Sequence, residues 1–415
     1  MPDYCASPNL MPLEQAQQQL CSAISAVTET QTIKVEHAYG RVLARQVISD
    51  TNVPNHNNSA MDGFAVCDQA IRSAGEVLTQ FEVVGTALAG QPYTGQLSQG
   101  QAIHIMTGAV VPSEADGVIM KEQTQLVDRV LTIEKPVKPD ANVRFAGEDI
   151  AKGETVFNAN HQLRSVDLGL LASLGVAEVQ VLRRVKVAVF STGDELKQAG
   201  ETLSEGDIYE SNRTVLLNML KQMHVDVIDL GIIPDDYQAI KQAFLTADEQ
   251  ADIVISSGGV SVGDADFTKQ VLAEIGEIGF WKIAIKPGKP FAFGQLPNSW
   301  FFGLPGNPVS ATVTLDQLAR VGIEQCAGLI KPSNLVLTAI ATSEIKKRPG
   351  RQDFQRGIVG TNSQGELEVS SIKNQSSGVL SSLSKANCYI VLPAESGSVD
   401  AGQTVKVTLF ADRGL

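Results

Sequence analysis

The sequence predicts a multidomain α/β plus β protein. A central, mostly parallel α/β domain is flanked by an N-terminal region, which carries an antiparallel β insertion, and by a small C-terminal β-barrel. Three observations lead there. Between residues 185 and 308, continuous β-branched apolar runs alternate with segments of helical period, the pattern of a parallel sheet covered on both faces. Around 80–135, and again from Asn334 onward, the chain switches to short alternating strands separated by Gly turns, which reads as antiparallel β. At 415 residues the chain exceeds one hydrophobic core, so two to four domains are expected.

Composition narrows the function classes. A net charge of −13 argues against nucleic acid and anionic membrane surfaces as partners. The sequence contains no 18-residue apolar stretch, so no membrane span is expected. Residues 1–20 lack a charged region followed by an apolar one, unlike a secretory signal. Cys5, Cys21, Cys67, Cys326 and Cys388 are scattered, odd in number and without a C-x-x-C pair. They read as free thiols of a reducing cytoplasm, neither a zinc site nor a disulfide frame.

In chain order, residues 12–27 place Leu13, Ala16, Leu20, Ala23, Ile24 and Val27 at helical spacing. Residues 32–50 fit a strand–turn–helix piece. The Pro/Asn/Gly-rich stretch 53–63 is a loop running into a strand at 63–66. Strands follow within 81–90, 100–112, 116–124 and 129–137 of the insertion, where His104 reads as structural. Residues 165–180 form a helix that starts near a capping Ser165 and is ended by Gly175. In the central unit the runs 185–190, 225–233, 252–256, 281–285 and 300–304 are strands, with helices at 214–224, 237–248 and 264–276. Asp264 or Asp266 could cap the last of these. Five strands, at 335–342, 354–360, 366–372, 388–393 and 404–410, build the C-terminal domain. The basic run Lys346–Arg348 beside them reads as a solvated loop.

The chemistry collects where the central strands stop. Each run ends in a polar Gly- or Pro-rich turn: Ser191–Glu195, Pro234–Asp236, Ser257–Asp266, Lys286–Pro290 and Pro305–Ser310. Ligands of open α/β sheets bind at this edge. Gly258, Gly259 and Gly263 let backbone N–H groups approach an anion. Pro308 to Ser310 open a helix whose N-terminus favours phosphate. Lys286 and Lys289 add positive charge. Glu195, Asp235, Asp264 and Asp266 add hard oxygen ligands. Carboxylates beside a phosphate site imply Mg²⁺ between them. The expected ligand is therefore a phosphorylated small molecule with a divalent metal. No G-x-x-x-x-G-K-[ST] and no G-x-G-x-x-G after a strand occurs, so neither a P-loop nor an ordinary dinucleotide domain is expected.

These turns, written STGDEL, SSGGVSVGDADFTK, AIKPGKPFAFG and GLPGNPVSA, resemble the MoeA-type molybdopterin molybdenumtransferases. The central unit alone is shared with molybdopterin adenylyltransferases. NSAMDG at 58–63, MTGA at 106–109 and GEDI at 147–150 extend the resemblance over nearly the whole chain. It implies a central molybdopterin-binding domain at 181–330, an inserted β domain at 51–144, a discontinuous linker domain at 1–50 and 145–180, and a barrel domain at 331–415. It implies insertion of molybdate into adenylylated molybdopterin with Mg²⁺, releasing AMP and molybdenum cofactor, in a cytoplasmic homodimer. Transient contact with the adenylyltransferase and with molybdoenzyme chaperones would follow. By resemblance, Asp62, Thr107, Glu195, Asp235, Asp266, Lys282 and Lys286 are catalytic, and Glu195, Asp235 and Asp266 hold the metal. Gly258, Gly259, Ser261, Gly263, Lys289, Pro305, Gly306, Asn307, Pro308 and Ser310 hold substrate or phosphate. Arg356 and Ser377 hold molybdate, and Asp149 and Asp264 are further candidates. One departure is Asn57, where many relatives carry Asp. The alternatives are an adenylyltransferase, against which the NSAMDG segment and the C-terminal β-domain count, a gephyrin-like scaffold that reuses this architecture, and a tungsten-specific insertase.

Overall fold

The computed structural model describes residues 10–73, 75–258, 267–330 and 335–410. The central sheet has six strands in the spatial order Asp226–Ile233, Lys186–Thr192, Ile253–Ser257, Trp300–Leu304, Pro290–Gln295 and Glu277–Lys282. The first four run parallel, and the last two form an antiparallel meander at one edge. The chain leaves Lys186–Thr192 for one neighbour and later returns to its other side. The strand order therefore reverses between Lys186–Thr192 and Ile253–Ser257, which makes a switch point there.

Alternation along the strands explains the layers. Val187, Val189, Ile253, Ile255, Phe302 and Leu304 face one core, which also takes Leu216, Met219 and Val313 from helices on that side. Ala188, Phe190, Val254 and Phe301 face the other core, under Ile240, Phe244 and Val271. The edge strand Asp226–Ile233 is only half-buried along most of its length, unlike the doubly covered strand expected from its apolar run. The N-terminal helix Leu13–Ala23 inserts Leu13, Ala16 and Leu20 into the first core.

The 281–285 run is not one strand. Trp281 and Lys282 finish the meander edge, whereas Ile285–Lys286 pairs in parallel with Gln352 and Asp353 of the C-terminal domain. The apolar pattern could not show this, because both halves are β and equally apolar. Only the partner strand differs.

Two short antiparallel ladders form the linker, Thr30–Lys34 with Glu178–Leu182 and Val47–Ile48 with Thr155–Phe157, and a third, Asn58–Ser59 with Val143–Arg144, joins the two ends of the inserted segment. Residues 32–50 contain a 3₁₀ turn, Val35–His37, in place of the expected helix. The helix Ser165–Ser173 is capped by Asp167, whose side chain accepts from the Arg164 backbone N–H, and not by Ser165. Beyond the linker, the inserted sheet is antiparallel apart from the pair Gln80–Ala87 and Gln101–Ile105, which is parallel.

The five predicted C-terminal strands close into a ring, with Gln352–Thr361 pairing to both Leu367–Ser371 and Cys388–Leu392. Lys347, expected in a solvated loop, is buried. Its Nζ donates to the carbonyls of Arg348, Ala394 and Ser396, so three fixed acceptors replace water around the ammonium. Cys21, Cys67, Cys326 and Cys388 are free thiols. No described helix is long and apolar enough to cross a membrane.

Candidate active site

A cleft of about 670 Å³ opens at the carboxyl ends of the parallel strands, at the switch point. Its floor is Ser191, Thr192, Ser257 and Gly258; its sides include Glu195, Asp235 and Gly306–Pro308; Gly378 of the barrel domain reaches its rim. Gly258 has φ +95°, and a Cβ there would stand 2.9 Å from the Thr192 carbonyl oxygen. The two strand ends can approach only because this residue is Gly. The helix Pro308–Thr314 starts with Pro at its first turn and continues through Leu315–Ala319, a π-type turn, into Arg320–Cys326.

Two of the predicted metal ligands share this cleft. The Asp194 carboxylate accepts from the Asp235 backbone N–H at 3.0 Å. Burial, followed by the charges of Asp194 and Glu195, holds the Asp235 carboxyl above the usual carboxylate range. None of the ion pairs among the described residues reaches Asp194, Glu195 or Asp235. Clustered carboxylates without a counter-charge fit a hard cation. No set of three metal-binding side chains is assembled among the described residues. The third predicted ligand, Asp266, lies outside them, as do Gly259, Ser261, Gly263 and Asp264.

Sequence reasoning missed two cleft residues, Glu210 and Asn212. Glu210 is buried. Its Oε1 accepts from the Ser191 hydroxyl at 3.2 Å and from the Arg213 backbone N–H at 2.6 Å. It thereby ties a strand end to the start of the helix Asn212–Gln222. Asn212 Nδ2 donates to Ser257 Oγ at 2.9 Å and to the Gly306 carbonyl at 2.7 Å. One amide thus joins two of the turns, with both its hydrogens committed. The polar run Glu210-Ser211-Asn212 before a helix was the available signal, but it is equally a helix-start pattern. Asn212→Ala should leave the fold intact and lower product formation about 10- to 100-fold, since two buried-edge hydrogen bonds are lost; steady-state assay beside a melting curve checks this.

The barrel domain closes the rim. The Val309 N–H donates to the Ser377 carbonyl at 3.0 Å, which seats the 376–378 loop on the helix start. Arg356 is 1% exposed. Its Nε donates to Ser382 Oγ at 3.0 Å and its Nη2 to the Ser376 carbonyl at 3.2 Å. Burial pushes this guanidinium down to about 10, still charged at neutral pH. Arg356 therefore stands behind the loop and braces it, and the loop itself borders the cleft.

The predicted lysines lie elsewhere: none is among the described residues lining the cleft. Lys286 pairs with buried Asp353 of the barrel at 3.5 Å, while Lys289 is exposed. Between them Gly288 has φ +108°, and a Cβ there would meet Thr314 Oγ1 at 2.6 Å, so this turn rests on the same helix that borders the cleft. Ser310 is buried in the first turn of that helix, and Pro305 precedes it. Asp62 and Thr107 meet each other in the inserted domain and do not line the cleft. The exposed Asp62 carboxylate accepts from the Thr107 N–H and hydroxyl, both at 2.7 Å, and these bonds hold its pKa down. Asp149 is exposed in the linker. The Asn57 side-chain oxygen accepts from the Ala146 N–H at 2.9 Å, a structural contact that needs no charge.

Comparison with known proteins gives the family. Three family models match in series: the MoeA N-terminal region (domain I and II) over 11–175, a probable molybdopterin binding domain over 188–325, and the MoeA C-terminal region (domain IV) over 338–410. A relative from Haemophilus influenzae, named molybdopterin molybdenumtransferase, is 46% identical over 405 residues, spanning 97% of this chain and 99% of its own length. One of the same name from Nostoc sp. is 34% identical, spanning 94% of this chain and 90% of its own. The crystal structure of the molybdopterin biosynthesis moeA protein from Pyrococcus horikoshii superposes with a TM-score of 0.84 at 28% identity, covering 97% of this chain and all of that one. The chain belongs to the MoeA family of molybdopterin molybdenumtransferases.

Proposed function

We propose that the protein inserts molybdate into adenylylated molybdopterin, releasing AMP and molybdenum cofactor. The observation that carries this is the cleft itself. Carboxylates that enter no ion pair among the described residues share the cleft with a helix start, at the switch point of a parallel sheet. That is the arrangement a phosphorylated substrate with a divalent cation requires.

In this reading Glu195 and Asp235, with Asp266, hold Mg²⁺, which when bound supplies charge neutralisation at the pyrophosphate. The helix start at Asn307–Ser310 orients the phosphate. Glu210 and Asn212 hold the turns at fixed separation, and the 376–378 loop, braced by Arg356, covers the rim. Lys282, Lys286 and Lys289 supply positive charge outside the cleft. Molybdenum is captured by the dithiolene sulfurs of the substrate, so no protein thiol takes part; the high pKa of buried Cys326 and Cys388, about 12 for each, is consistent with inert thiols. The working form is a cytoplasmic homodimer in which the Asp62–Thr107 pair of one protomer faces the cleft of its partner. The presence of the MoeA N- and C-terminal regions supports an insertase over an adenylyltransferase.

The test is reconstitution of apo-nitrate reductase with adenylylated molybdopterin, molybdate and Mg²⁺, in the absence of ATP. AMP release in step with active cofactor is the expected result. An absolute requirement for ATP, or cofactor formed equally well without the protein, would reject the reading.

A further inference from the structure

The cleft is far larger than a phosphate needs, and one of its walls is apolar. Ile208, Ile240 and Phe267 line it together with the acidic and hydroxyl groups. Phe267, the first residue of the helix Phe267–Ile275, is 38% exposed. The other aromatics of the neighbouring core, Phe190, Phe244 and Phe301, are fully buried and packed on one another. An exposed ring in a ligand cleft carries an apolar surface that folding has left unused.

The ring is also held in place. Tyr237 packs against it nearly perpendicular, with centroids 6.4 Å apart and an interplanar angle of 82°, a favoured geometry for an aromatic pair. The Tyr237 hydroxyl donates to Glu274, and Glu274 takes Lys241 Nζ at 2.5 Å. Tyr237 and Lys241 lie one turn apart on the helix Tyr237–Gln250, and Glu274 belongs to the helix of Phe267. This network locks two helices together at the wall of the cleft and fixes the orientation of the ring it abuts.

We propose that Phe267 is a stacking platform for a planar heterocycle bound in this cleft. The proposal rests on the substrate reading above. That substrate carries two flat rings, a pterin and an adenine, and either would use the same π surface.

The experiment measures binding of AMP and of molybdopterin, each alone, to the wild type, Phe267→Leu and Phe267→Tyr. Leu keeps apolar bulk without a π face; Tyr restores the face. Phe267→Leu should weaken one of the two ligands about 5- to 100-fold, the range expected for one stacked ring, and Phe267→Tyr should restore it. Loss confined to AMP places the purine on Phe267; loss confined to molybdopterin places the pterin there. Unchanged affinity for both ligands, in a wild type that forms cofactor, overturns the proposal. A second readout needs no variant: stacking lowers the ultraviolet absorbance of the bound heterocycle in the wild-type complex, and saturation with both ligands without such a change also overturns it. A wild type that makes no cofactor and binds neither ligand rejects the substrate reading itself, a result distinct from the other two.

Discussion

Asp235→Asn is expected to abolish cofactor formation, by about 100-fold or more if the group is a metal ligand, while slightly stabilising the protein at neutral pH. The two effects have one cause. Burial and the charges of Asp194 and Glu195 raise the Asp235 pKa in the folded state. The folded state therefore holds this proton to higher pH than the unfolded chain does. Stability falls as pH rises from the unfolded pKa through the folded one, and the destabilisation is fully present above that range. Asn removes the charge and with it the repulsion. The Asp235 carboxyl is only partly shielded, in a residue largely open to solvent, so the gain should stay below about 1 kcal/mol. Added Mg²⁺ should raise the melting temperature of the wild type and have little effect on the variant. Thermal unfolding at pH 7 with and without Mg²⁺, beside the reconstitution assay, checks both. A variant that retains wild-type activity would remove Asp235 from the metal set.

Arg356→Ala should be the most damaging single change in the barrel domain. It empties the space of a side chain that is 1% exposed and removes the guanidinium's bonds to the Ser376 carbonyl and the Ser382 hydroxyl, which keep only their bonds to the Val379 backbone. Truncation of a fully buried large side chain costs about 2–5 kcal/mol. Arg356→Met fills the volume without the hydrogen bonds, so it separates the two roles. Met should recover most of the stability, because a buried charge without an opposite charge gains little from burial. It should not recover activity, because the 376–378 loop loses its brace at the cleft rim. Urea unfolding followed through the barrel transition, paired with steady-state kinetics, distinguishes these outcomes. Full activity in the Met variant would show that Arg356 acts through packing alone.

The element types of the central and C-terminal domains were legible because each depends on a local period. Val187 and Val189 alternate with Ala188 and Phe190 toward two cores, and an apolar run of that kind allows few alternatives. Glu195, Asp235, Gly306 and Asn307 were legible for a related reason: turns at parallel strand ends converge whatever the details of the helices between them. Glu210 and Asn212 were not. Each bridges to residues distant in sequence, Glu210 to Ser191 and Asn212 to Ser257 and Gly306, and a polar residue before a helix gives the same pattern whether it caps or bridges. The partner of Lys286 was not legible either. Basic residues near a phosphate site suggested direct contact, yet Lys286 finds a buried carboxylate across the domain boundary.

By itself, then, the sequence determined most strand and helix types of the central and C-terminal domains, the acidic balance and the strand-end turns, since all of these rest on short-range periodicity and residue chemistry. Tertiary structure alone decided which strand Ile285–Lys286 joins, that Lys347 and Arg356 are buried, and that Asn212 links two turns. Those outcomes depend on which surfaces meet in space. That is set by long-range pairing and burial, and no local pattern of residues encodes it.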